Sequence, residues 1–177
     1  MGHGNLPRVK AMLEENPSLL NVVYQWGEND FESAIQAAAQ TGAAPVAEFL
    51  LEKGAPLSIC TAAMLGKKKV VEEMLSRDPS MSEAVGAHGI PLLPHAALSG
   101  DVELCRMVWD KGATKGATLA LHNAVSRGRA EATAWLLENA SPSLEAKNYE
   151  GKTALVLAEE RKMEDIAALI RQRSSGS

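Results

Sequence analysis

Aromatic residues are scarce in this chain: phenylalanine, tyrosine and tryptophan make up 4% of it, although 46% is hydrophobic. The apolar content is therefore carried by alanine, leucine, valine and methionine, mostly good helix formers that pack helices closely. That favours many short packed helices. Only two cysteines are present, too few for a disulfide framework, and neither Cys60 nor Cys105 has metal-ligand spacing. Both read as buried, reduced thiols. No run approaches the roughly 18 apolar residues that span a bilayer, and Met1 to Lys10 lack the apolar core of a signal peptide. A soluble, cytoplasmic protein with no membrane partner is expected. No single sign of charge dominates, since 22 acidic and 18 basic residues are spread along the chain for a net charge of -4. Nothing there announces nucleic acid or reads as a charged tail.

Catalytic signatures are also missing. There is no GxSxG, no HExxH, no phosphate loop and no Cys/His metal spacing, so no cofactor or metal is expected. What is present, within 177 residues that suffice for a substantial core, is a degenerate internal repeat. Alanine-rich segments end in glycine at Ala37-Ala38-Ala39-Gln40-Thr41-Gly42, Thr61-Ala62-Ala63-Met64-Leu65-Gly66, His95-Ala96-Ala97-Leu98-Ser99-Gly100 and Asn123-Ala124-Val125-Ser126-Arg127-Gly128. Each glycine reads as a turn between antiparallel helices. Behind each turn the apolar residues recur at helical spacing, as in Val46, Phe49 and Leu50, or Val70, Val71 and Met74. The same offsets place a fifth unit on Gly4 and a sixth on Lys162. Several second helices stop at glycine, as in Glu52-Lys53-Gly54-Ala55 and Asp110-Lys111-Gly112-Ala113.

The segment from Ser33 through Gly42 to Pro56 resembles one ankyrin repeat, whose pattern is TPLHxAAxxGxxxxVxxLLxxGAx. Gly151-Lys152-Thr153-Ala154-Leu155 resembles the family's G-x-T-P-L start of a first helix, and Gly89-Ile90-Pro91-Leu92-Leu93 is a variant of it. The resemblance covers nearly the whole chain. It implies an all-α, ankyrin-type solenoid of stacked helix-turn-helix repeats over residues 1–173. Its units are a half repeat at 1–30, repeats at 31–56, 57–90, 91–117 and 118–152, and a capping repeat at 153–173, with a flexible tail at 174–177. With Gly4 already the first turn, the opening unit reads as half a repeat or as trimmed.

The turns are spaced 38, 24, 34, 28 and 34 residues apart, where the family expects about 33. Short and long units alternate, and three of the four pairs of turns two units apart are separated by 62 residues, from 4 to 66, 66 to 128 and 100 to 162. The long connections share Asn16-Pro17-Ser18-Leu19, Asp78-Pro79-Ser80-Met81 and Ser141-Pro142-Ser143-Leu144. Protruding hairpin fingers are therefore predicted after alternate units only, at about 19–32, 81–90 and 144–152; the short connections lack room for one.

The resemblance implies partner binding in the concave groove between fingers and first helices. The two positions before each turn point into that groove in the family: Gln40 and Thr41, Met64 and Leu65, Leu98 and Ser99, Ser126 and Arg127, Glu160 and Arg161. Met64, Leu65 and Leu98 form either an apolar binding patch or closer packing where fingers are missing. Tyr24 and Trp26, with Glu28 beside them, are the best anchors, because aromatics dominate binding hot spots; Phe31 alternatively packs the finger onto the next unit. His88 and Tyr149 hold comparable loop positions. Trp109 and Trp135 lie on the core stripe. His122 sits where the family's histidine hydrogen-bonds loop backbone, and His95 lies one residue later in its own unit. A monomeric scaffold that binds a protein is the expected function. The alternatives are a small metabolite held in the apolar groove, or catalysis by His95 and His122 with Asp30 or Glu28 as the finger carboxylate.

Overall fold

A computed structural model describes residues 4–175. Four of the helices begin where a short polar side chain accepts from a free backbone amide. Asn5 accepts from the Arg8 amide at 3.1 Å to start α1 (Leu6–Glu15), and Ser58 from the Thr61 amide at 3.1 Å to start α4 (Ile59–Met64). Asp101 does the same for α7 (Val102–Asp110), and Thr153 for α10 (Ala154–Glu160). At α2 (Ala34–Gln40) the Gln36 side chain reaches back to the Ser33 amide at 2.9 Å. The other helices are α3 (Ala44–Glu52), α5 (Lys68–Arg77), α6 (Leu92–Ser99), α8 (Ala117–Ser126), α9 (Ala130–Asn139) and α11 (Glu164–Ser175). Ser174 and Ser175, which the sequence reading set in a tail, continue α11; residues 176 and 177 of that tail lie outside the described residues.

All six expected turn positions have left-handed backbone, with φ between 58° and 82°. Five are glycine, for which that region carries no side-chain penalty. Lys162, at 58°, holds the sixth despite its Cβ. Helices on either side of these turns pack in pairs: α2 with α3, α4 with α5, α6 with α7, α8 with α9, and α10 with α11. The first members stack in one row, α2 on α4, α4 on α6, α6 on α8 and α8 on α10. The second members form another row, in which α1 meets α3, and α9 meets both α7 and α11. Alanines make the first row tight. Ala62, Ala63, Ala96, Ala97, Ala120 and Ala124 are fully buried and let the backbones approach, while Leu92, Leu93, Leu104 and Leu136 fill the space between rows. Each such leucine contributes about 2 kcal/mol relative to exposure.

The chain is thus mostly helical, with one two-stranded sheet among the described residues. That sheet is the first finger. β1 (Val23–Gly27) pairs antiparallel with β2 (Asp30–Ser33), Tyr24 opposite Glu32 and Gln25 opposite Phe31. The second expected finger is two short 3-10 turns at Pro79–Glu83 and Ala87–Gly89, with a single bridge from Val85 to Pro91. In the third, the Asn148 amide donates to the Lys152 carbonyl at 2.8 Å without forming strands. No helix among the described residues is long and apolar enough to cross a membrane.

Candidate functional site

The connection before α4 is too short to carry a finger, and across that gap the first finger meets the second loop. Strand alternation puts Tyr24, Trp26, Asp30 and Glu32 towards that loop. Trp26 Nε1 donates to Glu32 Oε2 at 2.8 Å, and Gln40 Nε2 donates to Glu32 Oε1. His88, itself left-handed with φ 56°, donates its backbone amide to Asp30 Oδ1 at 3.1 Å, and its Nδ1 lies 2.8 Å from Asp30 Oδ2. Its Nε2 lies 3.6 Å from Glu32 Oε1. The hydrogen bond to Asp30 is the main cause that holds the His88 imidazole above its usual range; some burial opposes it, and the charges of Asp30 and Glu32 add to it. Asp30 and Glu32 of the finger therefore face His88, and neither forms a hydrogen bond or ion pair with His95 or His122 among the described residues.

His95 is 1% exposed. Its Nδ1 lies 2.9 Å from the Pro91 carbonyl, one helical turn back, which makes that nitrogen the donor. The Nε2 is buried without a partner, against Gly86, where an added Cβ would lie only 2.8 Å from it. Burial lowers the His95 pKa, so the ring is neutral and inaccessible to a partner or substrate. His122 is likewise buried and its Nε2 lies 3.1 Å from the Ala146 carbonyl, so it pins the third loop. Cys60 and Cys105 are free and buried, their thiols pushed up to about 12 mainly by that burial. Trp135 is in the core, and its ring meets that of Trp109 edge-on at 6.0 Å.

Closing the gap over α4 buries the residues nominated as an apolar patch. Met64 is 4% and Leu98 6% exposed, both in one core cluster against which Leu65 packs. Closer packing is thus the outcome for Met64. Phe31, whose alternative reading was to pack the finger onto the next unit, is half exposed, and Glu32 of the same strand is buried. Tyr24 and Trp26 are more than half exposed, with ring centres 4.7 Å apart, and Glu28 is exposed at the finger tip.

The second missing finger, before α8, leaves a gap that stays open. Above α8 lies a cleft of about 970 Å³. Its floor is Leu119, Asn123 and Ser126, one face of α8 at helical spacing. Ile90 of the second loop stands on one side, and Lys147 to Glu150 of the third on the other. Gln40 and Thr41, at the end of α2, close one end, and Arg161 the other. Arg127 reaches the Thr41 carbonyl, so the first row curves far enough for the ends of α2 and α8 to meet. Tyr149 stands 95% exposed on the rim, its phenol raised first by the hydrogen bond to Glu150. Glu150 is in turn lowered, mainly by Lys152, whose Nζ is 3.1 Å away.

Of the nominated residues, the cleft gathers Gln40, Leu98, Arg127 and Tyr149 and leaves out Met64, Leu65 and His95; Trp26 and His88 meet at the finger junction, with Tyr24 against Trp26, and Glu28 stands at the finger tip. Sequence reasoning missed Thr118, Leu119 and Asn123. Stepping back from Arg127 by helical turns gives Asn123 and Leu119, a signal that was available. No protein-family model matches the chain, and no curated protein matches it in sequence.

Proposed function

We propose that the chain is a protein-interaction module of the ankyrin-repeat type, a monomeric scaffold of the cytoplasm that takes an extended segment of a partner protein into the cleft above α8. The observation that carries this reading is the cleft itself. It is open along its length, lies where a finger is missing, mixes apolar and polar walls, and has a fully exposed tyrosine on its rim. Binding sites of this size bury a ligand against preformed apolar surface and orient it with a few polar groups, and exposed tyrosine is a frequent anchor of protein interfaces. Support for ankyrin-type repeats comes from the paired helices, the left-handed turns at the six repeat positions and the two stacked rows. A second reading makes the Tyr24–Trp26 ring pair on the first finger the contact surface, because both rings are exposed where most aromatics would be covered.

A photo-crosslinking amino acid placed in turn at Tyr149, Tyr24 and Glu73 separates these readings in cells of the source organism. Glu73 is exposed on α5, away from the cleft. Protein adducts are expected from Tyr149 and not from Glu73. Adducts from Tyr24 alone transfer the interface to the finger, and equal labelling at all three sites removes the binding-module reading.

A further inference from the structure

The cleft carries positive charge on a protein whose net charge is -4. Arg127, Arg161 and Lys147 line it, and the carboxylate on its wall, Glu150, already faces Lys152 at 3.1 Å. Arg161 Nη1 donates to the Ser126 carbonyl at 2.6 Å, and Arg127 Nη2 to the Thr41 carbonyl. A guanidinium has five donor hydrogens, so each arginine is anchored by one contact and keeps others. Neither forms an ion pair among the described residues. Both sit at the end of a first-row helix, held in place by a backbone carbonyl, with Leu119 exposed on the floor between the second and third loops. Arg161 feels the charge of Glu150 without forming an ion pair with it. Fixed guanidinium groups above a floor whose apolar residue is Leu119 match a peptide that carries carboxylates beside an apolar side chain, since arginine takes a carboxylate through two parallel hydrogen bonds.

We propose that the segment bound in this cleft is acidic, with its carboxylates on Arg127 and Arg161 and an apolar side chain on Leu119. This rests on the reading of the cleft as a polypeptide site. The balance of charge favours a peptide over a nucleic-acid strand. Three cations give a local attraction, whereas the acidic remainder of the chain repels a long polyanion, and the stacking platforms that single strands need come down to Tyr149.

The test uses a phage-displayed library of short random peptides, selected on the full chain, with the best sequences then synthesised. Aspartate and glutamate are expected to be enriched over the input library, and binding is expected to weaken with added salt. The double change Arg127→Gln and Arg161→Gln is expected to weaken the best peptide about tenfold or more, the scale of losing charge-assisted hydrogen bonds. Lys67→Gln with Lys69→Gln, which removes two exposed cations outside the cleft, is expected to change it less than about twofold. Circular dichroism confirms that each variant keeps its helices. Neutral or basic peptides that lose binding in Leu119→Arg but not in the arginine variant overturn the acidic partner while the cleft reading stands. A library that yields no binder removes both. An oligothymidine bound more tightly than the best peptide, through the same arginines, makes the cleft a nucleic-acid site and overturns the proposal.

Discussion

At His88 a loop residue holds left-handed backbone and joins two segments 58 residues apart in sequence. The groups that face it are Asp30, Glu32 and the Trp26 ring, 6.0 Å away. Because its pKa is raised in the folded state, the charged form contributes stability that is fully present below the unfolded value of about 6.5 and is lost as pH rises through the folded value. His88→Gln should therefore destabilise the chain more at pH 5.5 than at pH 8.5, and denaturant midpoints of both proteins at both pH values give the difference directly. A constant difference across that range contradicts the clasp. The pairing itself was not legible in the sequence. Glutamate at position 32 looks like any exposed finger residue, and only the meeting of finger and loop makes it a buried acceptor for Trp26 and Gln40.

At the scale of the helix pairs much was legible, because local rules decide it. Glycine or an equivalent at the turns, an alanine-rich first helix and a striped second helix set the pairs and their order. The repeated Asn-Pro-Ser signature also works locally in two of its three copies: Asn16 and Asp78 accept from Ser18 and Ser80 amides at 3.1 and 3.0 Å and start a 3-10 turn. The third copy begins with Ser141, and there the Ser143 amide goes to Thr118 Oγ1 of another helix at 2.9 Å. That partner is distant in sequence, so the pattern did not foretell it. The same holds for Leu98. Its spacing suggested a wet groove position, but it is buried in the core cluster that it shares with Met64. Leu98→Ala should cost about 2–4 kcal/mol by leaving a cavity, whereas Leu119→Ala, on the cleft floor, should cost under about 1 kcal/mol. Urea denaturation of the two variants checks this, and equal losses contradict the assignment of one to the core and the other to the surface.

Over the whole molecule, a single difference separates two gaps of the same origin. Both short connections omit a finger. The gap over α4 is closed by contacts of Asp30, Glu32 and Gln40 with the second loop and the first finger, while the gap over α8 remains a cleft with Tyr149 on its edge. The alternation of unit lengths was visible as a pair period, yet which gap would stay open depended on contacts between segments far apart in sequence. The cleft above α8 is the proposed partner surface. Amide hydrogen exchange, measured on the full chain alone and saturated with the best peptide from the random library, tests it most directly. Slower exchange is predicted in 118–127 and 147–151, with little change in α5 and α7. Protection confined to α5 and α7, or to the first finger, or absent everywhere, would contradict it.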